Sequence, residues 1–296
     1  MILCFNNLDE PAGSVKREDA PKSLLSGLGN RPWLVLGGGT PRGLAHIGVW
    51  QGLQTAGVRF EGVIGTSIGG LVAVALAAGR TAPELDDIAR HLRKRDILRL
   101  DRGAVWLNGI REGSVFRGDV LRSQFETILP AGGWGDLEFQ VQVNAVDLGT
   151  GELEWFGSNV REDVSLLDAV CATTALPVLF PPVAIGDRWY VDGGTREALG
   201  IERAQALGAT GILAIDVGAG GAVDADEVVG NGLVAVHQRV FSIMAEARRL
   251  ETVNEWEGVP LVYARPELDG FKGFDFKAIP HFLEEGQRVA QELVGG

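Results

Sequence analysis

One short stretch limits what this chain can fold into more than any other. Val63-Ile64-Gly65-Thr66-Ser67-Ile68-Gly69-Gly70-Leu71 is an apolar run that ends at a glycine, followed by a serine and then by a run of small helix-compatible residues. This is a G-x-S-x-G pattern, the signature of a tight strand-to-helix turn that lifts a hydroxyl above a sheet edge. Gly65 and Gly69 fit because a cramped turn leaves no room for side chains where strand and helix nearly touch. Ser67 would stand at the start of the helix, where backbone N–H groups and the helix dipole favour negative charge. The same letters also describe an ordinary Gly/Ser turn with Ser67 as N-cap. The rest of the chain has to decide between the two.

Upstream, Pro32-Trp33-Leu34-Val35-Leu36 has the composition of a buried strand. Gly37-Gly38-Gly39-Thr40-Pro41-Arg42-Gly43 follows it, and Leu44 to Ala56 is patterned as a helix that Gly57 stops. A strand, a glycine-rich turn and a helix together form a backbone cradle for an anion. The occupant could be a nucleotide phosphate or a transient oxyanion. There is no Gly-Lys-Ser/Thr, and counting from Gly38 the third position of a dinucleotide fingerprint is Thr40.

Downstream, helices are expected over Ser67–Ala78, Ala82–Leu92, within Val115–Leu129, over Leu166–Ala175, as one long helix from Val228 to Val253, and over Pro280–Val294. Strands are expected at Leu137–Val146, which alternates apolar and polar residues, at Leu153–Phe156 beyond a Gly149-Thr150-Gly151 turn, and at Trp189–Val191, Gly211–Val217 and Leu261–Tyr263. Phe180-Pro181-Pro182-Val183 is expected to be a rigid connector. Alternating strands and helices indicate an α/β fold with a mostly parallel sheet and helices on both faces. The motifs run from Gly37 to Gly194 without a linker, so residues 31–296 are expected to form one catalytic domain and residues 1–30 a loosely held N-terminal arm.

The net charge of −12 argues against nucleic-acid or anionic-membrane binding through basic surface. Cys4 and Cys171 lack ligand-like spacing, and His46, His91, His237 and His281 contain no H-x-x-x-H pair, so neither a metal nor a cofactor is expected. The order of residues in 1–30 is wrong for a signal peptide, and no run approaches the eighteen or so apolar residues of a membrane span. The expectation is a soluble cytoplasmic protein. Arg90, Arg93, Lys94, Arg95, Arg99 and Arg102, followed by Trp106, Leu107 and Ile110, form either a solvated helix end and loop or a cover over the site, spanning about 90–118.

Four motifs then occur together. They are Leu36 to Val49 around the glycine loop, Gly65-Thr66-Ser67-Ile68-Gly69-Gly70, Ala172-Thr173-Thr174-Ala175-Leu176-Pro177 running on to Val183, and Asp192-Gly193-Gly194. In this order they resemble the patatin-like phospholipase family in its bacterial form, over roughly residues 32–295. The resemblance implies a three-layer α/β/α sandwich and a Ser–Asp dyad. Ser67 matches the nucleophile and Asp192 the general base. Gly38, Gly39, Thr40 and Arg42 match the oxyanion hole, and Gly65, Gly69, Gly193 and Gly194 are the motif glycines. The implied reaction is hydrolysis of carboxylic esters of lipids, of phospholipase A, esterase or lipase type, without a metal. The implied partner is a lipid or ester substrate, met with transient contact at a membrane or lipid aggregate.

One departure stands out. Bacterial members commonly carry Gly and Ala where this chain has Thr40 and Pro41. A β-branched residue resists left-handed backbone angles, and proline both lacks an N–H and pushes its predecessor towards extended geometry. This departure keeps open a lipid- or partner-binding protein of the same fold with little turnover. The chain order Ser67, Asp192, His237 keeps open a triad esterase in which His237 is the base, and the glycine loop a nucleotide-binding protein. His46 is expected to be a helix-packing residue. Phe271, Phe274 and Phe276 are expected to pack in the core or on the surface, with an acyl-pocket lining as the alternative.

Overall fold

A computed structural model describes residues 2–5, 24–100, 114–271 and 274–295. Among them nine strands form one sheet: β1 (Ile2–Phe5), β2 (Pro32–Leu36), β3 (Gly62–Gly65), β4 (Gln140–Asp147), β5 (Leu153–Gly157), β6 (Val183–Ile185), β7 (Arg188–Asp192), β8 (Gly211–Ile215) and β9 (Leu261–Ala264). The order is β1-β9-β8-β2-β3-β4-β7-β6, with β5 also pairing with β4. From β1 to β4 every pairing is parallel; β5, β6 and β7 join antiparallel.

The helices are α1 (Ala45–Thr55), α2 (Ile68–Ala77), α3 (Ala82–His91), α4 (Lys94–Ile97), α5 (Gly118–Ile128), α6 (Leu166–Thr173), α7 (Ile201–Ala206), α8 (Ala225–Gly230), α9 (Leu233–Asn254) and α10 (Ile279–Val294). The two faces of the sheet are assigned by the period-2 alternation of the central strands. Leu34 and Leu36 of β2, Leu213 and Ile215 of β8 and Val262 and Ala264 of β9 enter one core, with α1, α2, α3, α5, α6 and α10. Trp33 and Val35, Ile212 and Ala214, and Leu261 and Tyr263 enter the opposite core, with Ile201 and Ala204 of α7 and Val253 of α9. The result is a three-layer α/β/α arrangement around a mostly parallel sheet.

Several sequence expectations need correction. Ile2–Phe5 is not a loose arm: it is an edge strand, parallel to β9 in the register Ile2↔Leu261. Residues 6–23 of the expected arm lie outside the described residues. The long helix expected from Val228 to Val253 is two helices, because Gly232 takes φ 82 between α8 and α9, a value that breaks a right-handed helix. The expected connector ends in a strand. Val183–Ile185 turns back on Arg188–Asp192 as a hairpin, and Pro181 and Pro182 before it belong to no strand or helix. Of the expected cover, Arg102, Trp106, Leu107 and Ile110 lie outside the described residues.

Candidate active site

Ser67 sits two residues beyond β3 in a backbone conformation that few side-chain-bearing residues adopt, with φ 55 and ψ −127. Such a residue stores about 1–3 kcal/mol of strain and persists only when its surroundings over-determine it. The surroundings are specific. Thr66 N donates to Leu36 O at 3.0 Å, tying the turn to the next strand. Ser67 N donates to Thr173 Oγ1 at 2.9 Å. A Cβ on Gly65 would lie 2.5 Å from Gly70 Cα, and one on Gly69 would run into Leu36 O, so strand and helix do approach as the motif requires. The plain N-cap reading fails, because the Ser67 hydroxyl makes no capping bond to α2.

Strand β4 brings the second motif to the same place. Gly65 pairs with Val143, and two residues further along β4 Ala145 pairs with Asp192 at the end of β7. The carboxylate and the hydroxyl, 125 positions apart in sequence, thus reach one edge of the sheet. Asp192 N donates to Ala175 O at 3.0 Å, and Asp192 Oδ1 accepts from Gly194 N at 2.7 Å. A Cβ on Gly193 would collide with the Asn144 side chain, which explains the glycine after the acid. Asp192 Oδ2 is buried and has no hydrogen-bond partner. Burial pushes this carboxyl up to about 7, against the opposing pull of the Ser67 hydroxyl and the Gly194 N–H. The hydroxyl is close enough to favour the charged form without meeting strict hydrogen-bond geometry.

The glycine loop lies against the serine: a Cβ on Gly38 would stand 3.3 Å from Ser67 Cβ. Two of its amides are already used. Gly37 N donates to Ile215 O at 3.0 Å and Gly38 N to Ala198 O at 3.1 Å. Gly38 therefore supports the loop and does not offer its N–H to a bound oxyanion, and a phosphate would find two fewer donors than the sequence suggests. Thr40 is not extended as its Pro41 neighbour implies; it takes φ 55 and opens a 3-10 turn, Thr40–Leu44, with its hydroxyl on Gly39 O at 2.6 Å. Arg42 is buried and donates through Nη2 to Phe271 O, so it braces the loop; burial lowers its affinity for a proton. His46 Nε2 holds Gly37 O at 2.8 Å, and full burial brings its pKa down to about 4, so the ring is neutral and structural.

Behind this loop stands a buried ionic cluster. Asp216 Oδ2 accepts from Arg249 Nε at 2.9 Å and from Tyr263 OH at 2.7 Å, while Oδ1 accepts from Gly218 N at 2.8 Å. Burial alone would raise the Asp216 pKa, but Arg249 and Arg265 hold it below the usual carboxylate range. The cluster fixes the backbone after β8, and Val217 O of that backbone packs against Gly39, where a Cβ would be 2.5 Å away.

From Ser67 an apolar channel of about 100 Å³ runs between the helices of the larger core. Thr40, Pro41, Ser67 and Thr174 line it, and the α2, α3 and α5 helices supply much of the wall. Leu92 and Ile97 of the expected cover line it. Phe274 and Phe276 line it as well as packing against the core. Phe271 instead packs on His281 and Phe282, with ring centroids 4.9 and 5.4 Å away. His237 is not joined to Asp192: its partner is Gln238 Nε2 at 3.4 Å, and among the described residues no imidazole bonds the Asp192 carboxyl.

Sequence reasoning missed Thr173 and Ala175. They hold the Ser67 and Asp192 amides respectively, and so bind both motifs to one short segment. The signal was present in Ala172-Thr173-Thr174-Ala175-Leu176-Pro177. A buried hydroxyl at a helix end ahead of proline is free to accept from elsewhere in the chain.

Residues 34–204 match the patatin family profile, described as patatin-like phospholipase. The chain is 27% identical over 291 residues to patatin-like phospholipase domain-containing protein 6 of Mus musculus, an alignment covering 90% of this chain and 21% of that protein. It is 24% identical over 286 residues to lysophospholipase NTE1 of Coccidioides immitis, covering 88% of this chain and 17% of that one. With the uncharacterized NTE family protein Rv1063c of Mycobacterium tuberculosis it shares 31% identity over 166 residues, covering 56% of this chain and 43% of that protein. The chain thus spans about a fifth of the length of the first two relatives. The crystal structure of VipD from Legionella pneumophila aligns at a TM-score of 0.47 and 14% identity, covering 93% of this chain and 67% of that one. With a profile match over more than half of its length, this chain belongs to the patatin-like phospholipase family.

Proposed function

We propose that this protein is a serine acyl hydrolase that cleaves carboxylic esters of lipids through Ser67, Asp192 and an acyl-enzyme. The observation that carries this reading is a buried carboxyl with one unpartnered oxygen beside a strained serine, at the mouth of an apolar channel. A pKa of about 7 suits a base that must take and return a proton near neutral pH. Family membership and the relatives named for phospholipase and lysophospholipase activity point the same way.

In the first step Ser67 Oγ attacks the ester carbonyl carbon and its proton passes to Asp192 Oδ2. The negative charge that develops on the carbonyl oxygen is received by the Gly39 and Thr40 amides and by the Ile68 amide at the start of α2. The C–O bond to the alcohol then breaks, and Asp192 returns the proton to the leaving oxygen. Water attacks the acyl-enzyme, its proton goes to Asp192, and collapse releases the acid while Ser67 Oγ regains that proton. A second reading, a binding protein with little turnover, draws on one observation: Gly38 N is occupied and Pro41 has no N–H, so the loop offers few donors. Losing one such donor lowers the rate by about 10²–10³.

A fluorophosphonate probe and a panel of p-nitrophenyl esters and phospholipids, run on wild type and Ser67→Ala together, separate the readings. The hydrolase reading expects covalent labelling and turnover in wild type and neither in Ser67→Ala. Wild type that takes no label and turns over no ester contradicts it.

A further inference from the structure

The channel wall carries a length scale. On α2 the lining residues are Ile68, Leu71, Val72 and Ala75, a spacing of i, i+3, i+4 and i+7 that marks one continuous face of the helix. The channel therefore follows α2 away from Ser67 for two turns, a path of about 10 Å at 1.5 Å per residue, the reach of about eight methylenes. Along that face the side chains shrink to a single methyl at Ala75, which is fully buried.

Helix α5 forms a facing wall and runs in the same sense. Its start is near the serine end, since Gly118 abuts Pro181 and Phe116 packs on Phe180 with centroids 6.0 Å apart. Its last residue is at the far end. Arg80, three residues beyond the end of α2, donates through Nε to Ile128 O at 2.8 Å and through Nη2 to Thr127 O at 3.0 Å. These bonds clamp the end of α5 over the turn that follows α2. Arg80 N also donates to Ala75 O at 3.0 Å, so Ala75 and Ile128, both lining residues, are tied through one arginine at the end of α2 remote from Ser67.

We infer that Ala75 and Ile128 form the end wall of a one-chain acyl channel and set the acyl length this enzyme accepts. The inference rests on the hydrolase reading above and adds to it the residues that select among substrates. A bulky side chain at Ala75 fills the last stretch of the channel, while truncation of Ile128 lengthens it. A chain too long for the channel cannot bring its carbonyl to Ser67 without leaving methylenes in water.

The test is the ratio of kcat/KM for p-nitrophenyl dodecanoate to that for p-nitrophenyl butyrate. Ala75→Phe is expected to lower the ratio at least about tenfold, and Ile128→Ala to raise it about threefold or more, given what one or two methylenes contribute to discrimination. Ala75→Val, a smaller intrusion, stands in if Ala75→Phe does not fold, and should shift the ratio in the same direction. A ratio that stays at the wild-type value in Ile128→Ala and in the folded Ala75 variant overturns the inference and leaves the reaction standing. Wild type inert to both esters overturns the hydrolase reading and this inference with it.

Discussion

The backbone amide of Ser67 donates to the hydroxyl of Thr173 at 2.9 Å, across 106 positions of sequence. Thr173 has no exposed surface, and Ser67 is half-buried. The bond fixes the amide of the strained residue itself, and the next residue but one, Ala175, takes the amide of Asp192. One segment thereby sets the separation of the two proposed catalytic side chains.

Thr173→Val keeps the shape and removes the acceptor. A buried donor left unpaired costs about 1–3 kcal/mol. The expected outcome is a fall in kcat of about tenfold with a smaller change in KM, because positioning and not substrate binding is lost. Thr173→Ser, which restores the acceptor, should recover most of the rate. Steady-state kinetics of the two variants checks this.

The pH dependence of stability follows from Asp192. Its carboxyl titrates near 3.8 when unfolded and at about 7 when folded. Between these values the folded chain holds a proton that the unfolded chain has released, so the unfolded state binds fewer protons and stability falls as pH rises. The loss is complete once pH passes about 7. Asp192→Asn removes the effect. The urea midpoint of Asp192→Asn should exceed that of wild type by a margin that grows from pH 4 to pH 7 and then levels. A margin independent of pH contradicts the buried, proton-holding carboxyl. In the same way, wild-type kcat/KM should rise to a plateau above about pH 7 as the base ionises.

Two residues with side chains take positive φ around the site, Thr40 and Ser67, both at 55. Glycine adopts such angles freely, so Ser67→Gly and Thr40→Gly should each stabilise the fold by about 1 kcal/mol relative to the corresponding alanine variants. Thermal unfolding of the four proteins decides it. Equal midpoints for Ser67→Gly and Ser67→Ala would remove the strain from the account.

The Asp216–Arg249 pair is nearly solvent-free, with side-chain exposures of 1% and 3%. Removing one partner leaves a buried charge alone, so Arg249→Ala should lose about 3–5 kcal/mol in urea unfolding. Replacing both with apolar residues should lose much less.

In the parallel half of the sheet β2, β3, β8 and β9 were legible because each is a short apolar run bounded by glycine or proline, and β4 because it alternates; β1, with no helical pattern after it, was not. Pro32–Leu36 has the same bounds in sequence and structure. Where reasoning failed, a local rule met a tertiary one. Pro41 disfavours a compact conformation at Thr40, yet the loop packed against Ser67 holds it at φ 55. Pro181 and Pro182 concealed β6, since a strand pairing through Val183–Ile185 is too short to show alternation. Gly232 broke a helix whose apolar residues on either side suggested continuity.

In the site, the order and spacing of motifs pointed to Ser67 and Asp192 and to the loop that abuts them. They did not reveal that Gly38 N is already paired with Ala198 O, because that bond depends on where a distant backbone passes. They likewise left Thr173 without a role, since the group it serves is distant in sequence.

The most direct test is turnover of p-nitrophenyl butyrate by Asp192→Asn and His237→Ala, measured beside wild type at pH 8 with each variant shown to be folded. With Asp192 as the base, Asp192→Asn loses about 10²–10⁴-fold in kcat while His237→Ala stays near wild type. An Asp192→Asn enzyme close to wild type, or a His237→Ala enzyme as impaired as that range, would contradict the account.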